Sequence, residues 1–348
     1  MSFRELQHGS SSETQPLVSI IIPVYNVCDY LAEALDSVLA QSYRNLEILV
    51  INDGSTDGSG KICDDYARRD GRIRVIHQKN RGVSTARNAG LNATTGDLVA
   101  FLDSDDRYHD TFIESLVSVL LTENTDMAIC RYTVHQTKGT MAYMGTETAY
   151  PAMEPGIYDR IGMLRAFADR RASVYIWHSL YRRELWKDIR FPDGRLFEDF
   201  DVLYRIYDSC RTVSVVDQPL YMYRLHPEST NTASHSPRRI YDSIHVYSQF
   251  DSFIESNIPE VFSVEQLKKC RNSEIHTLMR EYMNCIRQST NHPDKALRKQ
   301  IVGMCRKYGT GGCGRKTRAI YCMIRFCPRL LPLAYGIYRS ARGRLRAA

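Results

Sequence analysis

The chain has 348 residues, 43% apolar and 25% charged, enough to bury a sizeable core and to make about two domains. It holds no apolar run of about 18 residues or more, which excludes a membrane-crossing helix, and its polar first 15 residues lack the apolar centre of a secretory signal. The net charge of +6 conceals an asymmetry: residues 1–294 carry 32 basic and 40 acidic side chains, whereas 295–348 hold 14 Lys and Arg and no Asp or Glu, which calls for an anionic partner for the tail.

The ten cysteines show neither a C-x-x-C pair nor zinc-ligand spacing, as expected of free thiols in a reducing cytoplasm. Residues 1–16 read as a disordered leader. An apolar strand at 18–22 ends at Pro23, and Leu31, Leu35, Val38 and Leu39 recur at helical spacing over 30–41. A second strand at 46–51 is broken by Asn52-Asp53-Gly54-Ser55, and Thr56 or Asp57 caps a helix reaching Arg69. Then follow a short strand at 74–76, a helix at 83–92, a strand at 97–102, a helix at 111–123 and a strand at 126–132. This alternation predicts an α/β fold, with βαβ units and a mostly parallel central sheet covered on both faces. Residues 133–172 show no regular pattern, 173–230 mix short elements with strands at 211–216 and 220–224, and 237–308 is helical. The expected organisation is a leader (1–16), an α/β domain (17–230), a helical region (231–308) and a basic amphipathic tail (309–348).

The strand at 97–102 runs straight into Asp103-Ser104-Asp105-Asp106. Acids at the C-terminal end of a parallel strand sit where open α/β sheets bind ligands. Carboxylates this close repel one another unless a cation lies among them. Mg²⁺ or Mn²⁺, held by one or two carboxylates and by substrate phosphates, is the usual solution; a solvated turn capping the next helix is the plain alternative. The first strand leads into Pro23-Val24-Tyr25-Asn26, which lacks the glycines of a dinucleotide-binding turn, and no P-loop is present. Gly309-Thr310-Gly311-Gly312-Cys313-Gly314 follows a helical region and reads as a linker. Carboxylates would therefore hold a metal, and the metal the diphosphate. Asp53, at the end of the second strand, can accept a hydrogen bond from a base N–H while Tyr25 stacks on the ring, or it can bond its own turn.

Taken together, Val18-Ser19-Ile20-Ile21-Ile22-Pro23-Val24-Tyr25-Asn26, Val50-Ile51-Asn52-Asp53-Gly54-Ser55-Thr56-Asp57, Asn80-Arg81-Gly82-Val83-Ser84-Thr85-Ala86-Arg87-Asn88-Ala89-Gly90 and Asp103-Ser104-Asp105-Asp106 resemble family 2 glycosyltransferases of GT-A fold, over roughly residues 17–230. The resemblance implies transfer of a sugar from a nucleotide diphosphate donor, with inversion at the anomeric carbon. It implies that Pro23, Tyr25 and Asn26 border the base pocket and that Asp53 bonds the base, read as uracil. Arg87 would lie near the diphosphate and sugar, Asp103 and Ser104 at the ribose or sugar, and Asp105 on the metal with Asp106 beside it.

Inversion needs a carboxylate base on the face opposite the leaving group. Gly194-Arg195-Leu196-Phe197-Glu198-Asp199-Phe200-Asp201 supplies a second acidic motif, matching the family's Glu-Asp pair. Asp199 is read as the base, Glu198 as shaping the acceptor pocket and Asp201 as the alternative base; acids in a first helical turn also simply suit the helix dipole. Tyr221-Met222-Tyr223-Arg224-Leu225-His226-Pro227-Glu228-Ser229 resembles the segment that closes over the diphosphate, where Arg224 supplies charge and His226 supplies charge or a metal ligand. In Ile176-Trp177-His178-Ser179-Leu180-Tyr181-Arg182-Arg183, Trp177 is expected to stack on an acceptor sugar, while Ser179 stands where many relatives carry Lys. Residues 315–346 interleave arginines with Ile320, Tyr321, Met323, Ile324, Phe326 and Leu330, a pattern that suits contact with an anionic membrane. No nucleic-acid module accompanies them.

The expectation is a Mn²⁺- or Mg²⁺-dependent inverting glycosyltransferase. It would use a UDP-sugar and a glycan or lipid-linked acceptor in surface polysaccharide synthesis, in the cytoplasm at the inner membrane face. A sugar nucleotidyltransferase should carry a Gly- and Arg/Lys-rich loop after its first strand, which this chain lacks. A non-catalytic nucleotide-sugar or glycan-binding protein would have no need of these acids.

Overall fold

The computed structural model describes residues 15–136, 153–226, 236–288, 295–309 and 312–326. Strands Val18–Val24 (β1), Leu46–Asn52 (β2), Ile73–His77 (β3) and Leu98–Phe101 (β4) pair in parallel in the order β3-β2-β1-β4. Their near-continuous apolar runs fit a sheet buried on both faces. Alternate side chains enter two cores, Ile21, Leu49 and Phe101 on one side and Ile20, Ile48 and Ala100 on the other. Helices Cys28–Leu39 (α1), Ser59–Arg69 (α2) and Phe112–Thr122 (α4) cover the second face with Leu35, Cys63 and Leu116. Helix Val83–Ala93 (α3) covers the first with Ala86 and Leu91.

The rest of the sheet is mixed. Arg107–Tyr108 (β5), Met127–Gln136 (β6), Gly156–Asp159 (β7), Ser179–Arg182 (β8) and Thr212–Leu225 (β9) extend it in the order β4-β8-β6-β9-β5, with β7 also on β9. The four-residue β8 runs antiparallel between β4 and β6. The two strands expected at 211–216 and 220–224 are one strand, β9, which passes Pro219 with shifts of register against β6. Helix Arg160–Ala168 (α5) lies in the stretch that shows no regular pattern in the sequence.

Helix Glu198–Ser209 (α6) and the C-terminal helices Pro237–Ser256 (α7), Val264–Gln288 (α8), Lys295–Tyr308 (α9) and Arg315–Phe326 (α10) pack on the α3 face. Phe250, Leu278, Ile301 and Ile324 share one hydrophobic cluster with Phe101 and Phe167, so the helical region adds to the sheet's core. Tyr321 and Ile324 are buried against the other helices, which removes them from the lipid-facing set expected of the tail, while Arg315, Arg318 and Phe326 are exposed. Among the described residues no helix is long and apolar enough to cross a membrane. Most of the leader, residues 137–152, Pro227-Glu228-Ser229 and the tail beyond Phe326 lie outside the described residues.

The Ala89-Gly90 end of the third motif has a packing cause. A Cβ at Gly90 would stand 2.4 Å from Ile21 Cγ2, so α3 lies on β1 only because residue 90 has no side chain. Gly90→Ala should destabilise the protein by about 1–3 kcal/mol through overpacking, read as a lower urea midpoint at unchanged m-value.

Candidate active site

The C-terminal ends of β1, β2 and β4 open on one edge of the sheet, and three polar loops meet there. Asn26 turns the chain out of β1 in a left-handed conformation (φ 51), its Oδ1 accepting from Thr56 N at 2.8 Å and its N donating to Ser55 Oγ at 3.2 Å. This joins the first loop to the one after β2. Pro23 is buried beneath, while Tyr25 is 47% exposed and leaves its ring open for stacking. Asp53 is buried and accepts from Gln78 Nε2 at 2.7 Å, Arg81 N at 3.0 Å and Gly82 N at 2.8 Å. It thereby shapes the loop that launches α3.

Arg87, on α3, is buried and joins both acidic motifs. One guanidinium nitrogen donates to Glu198 Oε1 at 2.8 Å and Asp199 Oδ1 at 3.0 Å, and the other to Asp103 Oδ1 at 2.8 Å. Its planar group also lies 5.5 Å from the centre of the Phe191 ring. Burial opposes the Arg87 charge, but Asp199, Asp103 and Glu198 outweigh it and hold the group above the usual guanidinium range. Burial pushes the Asp199 carboxyl up to about 8; Arg87 opposes the rise, and Glu198 and Asp103 add to it. The second Asp199 oxygen accepts from Ile176 N at 3.4 Å. A carboxyl poised near neutrality within a cluster of charged groups is a candidate proton acceptor. Asp201 stands apart from this cluster, facing Arg205 at 4.0 Å.

The acids after β4 divide. Asp105 meets His226 Nε2 at 2.9 Å, and the imidazole lies 4.6 Å from the Tyr30 ring. Burial, then the charge of Asp103, raises Asp105 above the ordinary carboxylate range. Asp106 is turned inward: Tyr221 Oη donates to its Oδ2 at 2.7 Å and Arg224 N to its Oδ1 at 2.7 Å. This corrects the expectation of a metal ligand, because both oxygens are engaged in fastening β9 to the turn after β4. Ser104 is buried in that turn. The Arg224 side chain reaches Asp105 O at 2.9 Å and Glu33 Oε2 at 2.6 Å.

Trp177 is a second correction. It is 3% exposed, with Tyr221, Tyr175 and Tyr223 stacked on it at 4.2, 5.1 and 5.6 Å, so its ring faces are covered and it packs the sheet. Tyr221, Tyr30, Glu33 and Phe191 hold the site yet carry no sequence signal of their own. Tyr221 alone lies inside a segment singled out for function. Among the described residues no three Asp, Glu, His or Cys side chains converge as metal ligands.

Residues 19–190 match the profile of Glycosyl transferase family 2. Glycosyltransferase GlyA of Streptococcus pneumoniae is 34% identical over 61% of this chain, which spans only 31% of that protein's length. Putative glycosyltransferase EpsH of Bacillus subtilis is 32% identical, the match covering 70% of each chain. Among solved structures, Staphylococcus aureus TarS 1–349 in complex with UDP-GlcNAc superposes with a TM-score of 0.57 at 17% identity, covering 84% of this chain and 90% of that one. A mannosyltransferase from Pyrobaculum calidifontis in complex with GDP-Man and Mn²⁺ gives 0.53 at 16% identity, covering 92% and 87%. These likenesses carry the fold, GT-A, and the sequence matches carry the family: the chain belongs to glycosyltransferase family 2.

Proposed function

We propose that this protein transfers a sugar from a UDP-sugar to a hydroxyl of a glycan or lipid-linked acceptor, with inversion, in the assembly of a surface polysaccharide. The observation that carries this reading is the Arg87 cluster, which brings Asp199 and Glu198 to the same guanidinium as Asp103 at the donor-side strand end. In the step proposed, the acceptor oxygen forms a bond to the anomeric carbon as the bond from that carbon to the phosphate oxygen breaks. The diphosphate leaves with the electron pair, and the acceptor proton passes to Asp199. Glu198 orients the acceptor. Tyr25 and the loop ordered by Asp53 receive the base, and Arg87 limits the repulsion between the carboxylates and the incoming phosphates.

Asp105 and His226 suit a divalent ion that takes its remaining ligands from the diphosphate, a common arrangement for Mg²⁺ and its analogues. The ion would supply charge neutralisation on the leaving group. TarS was solved with UDP-GlcNAc and the Pyrobaculum enzyme with GDP-Man and Mn²⁺, which supports a nucleotide sugar and a metal while keeping the base open to test. The exposed Arg315 and Arg318 and the arginines beyond residue 326 support peripheral binding to anionic membranes.

Nucleotide release from UDP-, GDP- and dTDP-sugars, with Mn²⁺ and then with EDTA, tests the reading. Release from a UDP-sugar that is lost on chelation, and that falls about 10²–10⁴-fold in Asp199→Asn, is the expected result. Saturable donor binding with no release, even with membrane extract as acceptor, would instead favour a binding protein. Because a base works only when deprotonated, kcat/KM should rise with pH through a midpoint near 8 and level off above it. A flat profile from pH 6 to 9 would remove Asp199 from that role. Truncation after Phe326, which spares the packed part of α10, should release the protein from phosphatidylglycerol vesicles with turnover intact; equal sedimentation of both forms would end the membrane proposal.

A further inference from the structure

The turn that carries Glu198 and Asp199 is gripped from a second side, by the helical region. Phe197, just before α6, adopts a left-handed conformation (φ 65, ψ 31), which a bulky residue keeps only where its surroundings hold it. The first turns of α7 supply three contacts to that segment. Arg238 donates to Gly194 O at 2.5 Å, Asp242 Oδ2 accepts from Leu196 N at 3.1 Å, and the Arg239 guanidinium lies 4.8 Å from the centre of the Phe197 ring. Glu281 of α8 faces Arg239 at 3.7 Å, with about a tenth of its side chain exposed, and balances its charge. Next along α6, the Arg170 guanidinium lies 5.2 Å from the Phe200 ring and 5.3 Å from the Tyr247 ring of α7.

Arg87 holds one oxygen each of Glu198 and Asp199 through a single nitrogen, which leaves the direction of the backbone beneath them to other contacts. A base misplaced by about 1 Å can cost about 10²-fold in rate, so whatever fixes that backbone enters the rate. We propose that Arg239 is a positioning residue for the transfer: by clamping the ring of Phe197 it sets the turn that aims Asp199, and α7 and α8 are thereby part of the catalytic unit. This rests on Asp199 being the base.

The test compares Arg239→Met, Arg239→Lys, Asp242→Ala and Asp199→Asn in the full chain. Nucleotide release is followed from UDP-N-acetylglucosamine, UDP-glucose and UDP-galactose with Mn²⁺ and membrane extract, and UDP binding is followed by calorimetry. Arg239→Met should lower kcat about tenfold while donor KM and UDP affinity stay within about twofold, and Arg239→Lys should recover most of the rate. An unchanged kcat in Arg239→Met, or kcat and UDP affinity lost together without recovery by Lys, overturns the inference. If Arg239→Met does not fold, Asp242→Ala, which removes one backbone contact, decides by the same split of kcat from KM. An active Asp199→Asn, or no release from any donor by the wild type, overturns the underlying transfer reading instead.

Discussion

A single buried guanidinium carries the architecture of this site. Arg87 gathers carboxylates from the turn after β4 and from the start of α6, segments 16, 111 and 112 residues away in sequence. Burying an arginine is unfavourable unless partners surround it, and packing three carboxylates together is unfavourable unless a cation lies between them. Each requirement meets the other. Breaking either half leaves uncompensated charge, so the two acidic motifs are locked into one site before any ligand arrives.

The fold serves that pairing. Asp53 shapes the loop before α3, and Gly90 lets α3 lie directly on β1, so Arg87 projects from a helix fixed at both ends. On the opposite side, β9 returns Arg224 and His226 to Asp105, with Asp106 and Tyr221 as the fastening. The parallel half of the sheet thus carries Asp53, Asp103 and Asp105, and α6, backed by the C-terminal helices, carries Glu198 and Asp199.

The parallel strands were legible because each is an apolar run that stops at polar residues, and buried parallel strands need nothing else. The acids and their strand-end location were legible for the same reason. By contrast, β8 has four residues, too few for a period, and Asp217-Gln218-Pro219 broke the pattern of β9 although the strand continues past them. Arg87 was visible as a site residue but not as the hub, because its partners are distant in sequence. Trp177 and Asp106 show the limit most clearly. Residue type marked each as able to bind, and only packing reveals that tyrosine rings cover one and that β9 takes up the oxygens of the other.

The stability of Arg87→Gln as a function of pH tests the central claim most directly. Without the cation, the three carboxylates in the folded site take up protons more readily than in the wild type, so the mutant loses relative stability as pH rises. Urea unfolding should therefore show a deficit of about 3–5 kcal/mol at pH 8 that shrinks toward pH 5. A small deficit, or one independent of pH, would mean that the carboxylates do not depend on Arg87, and the account of a charge-locked site would fail.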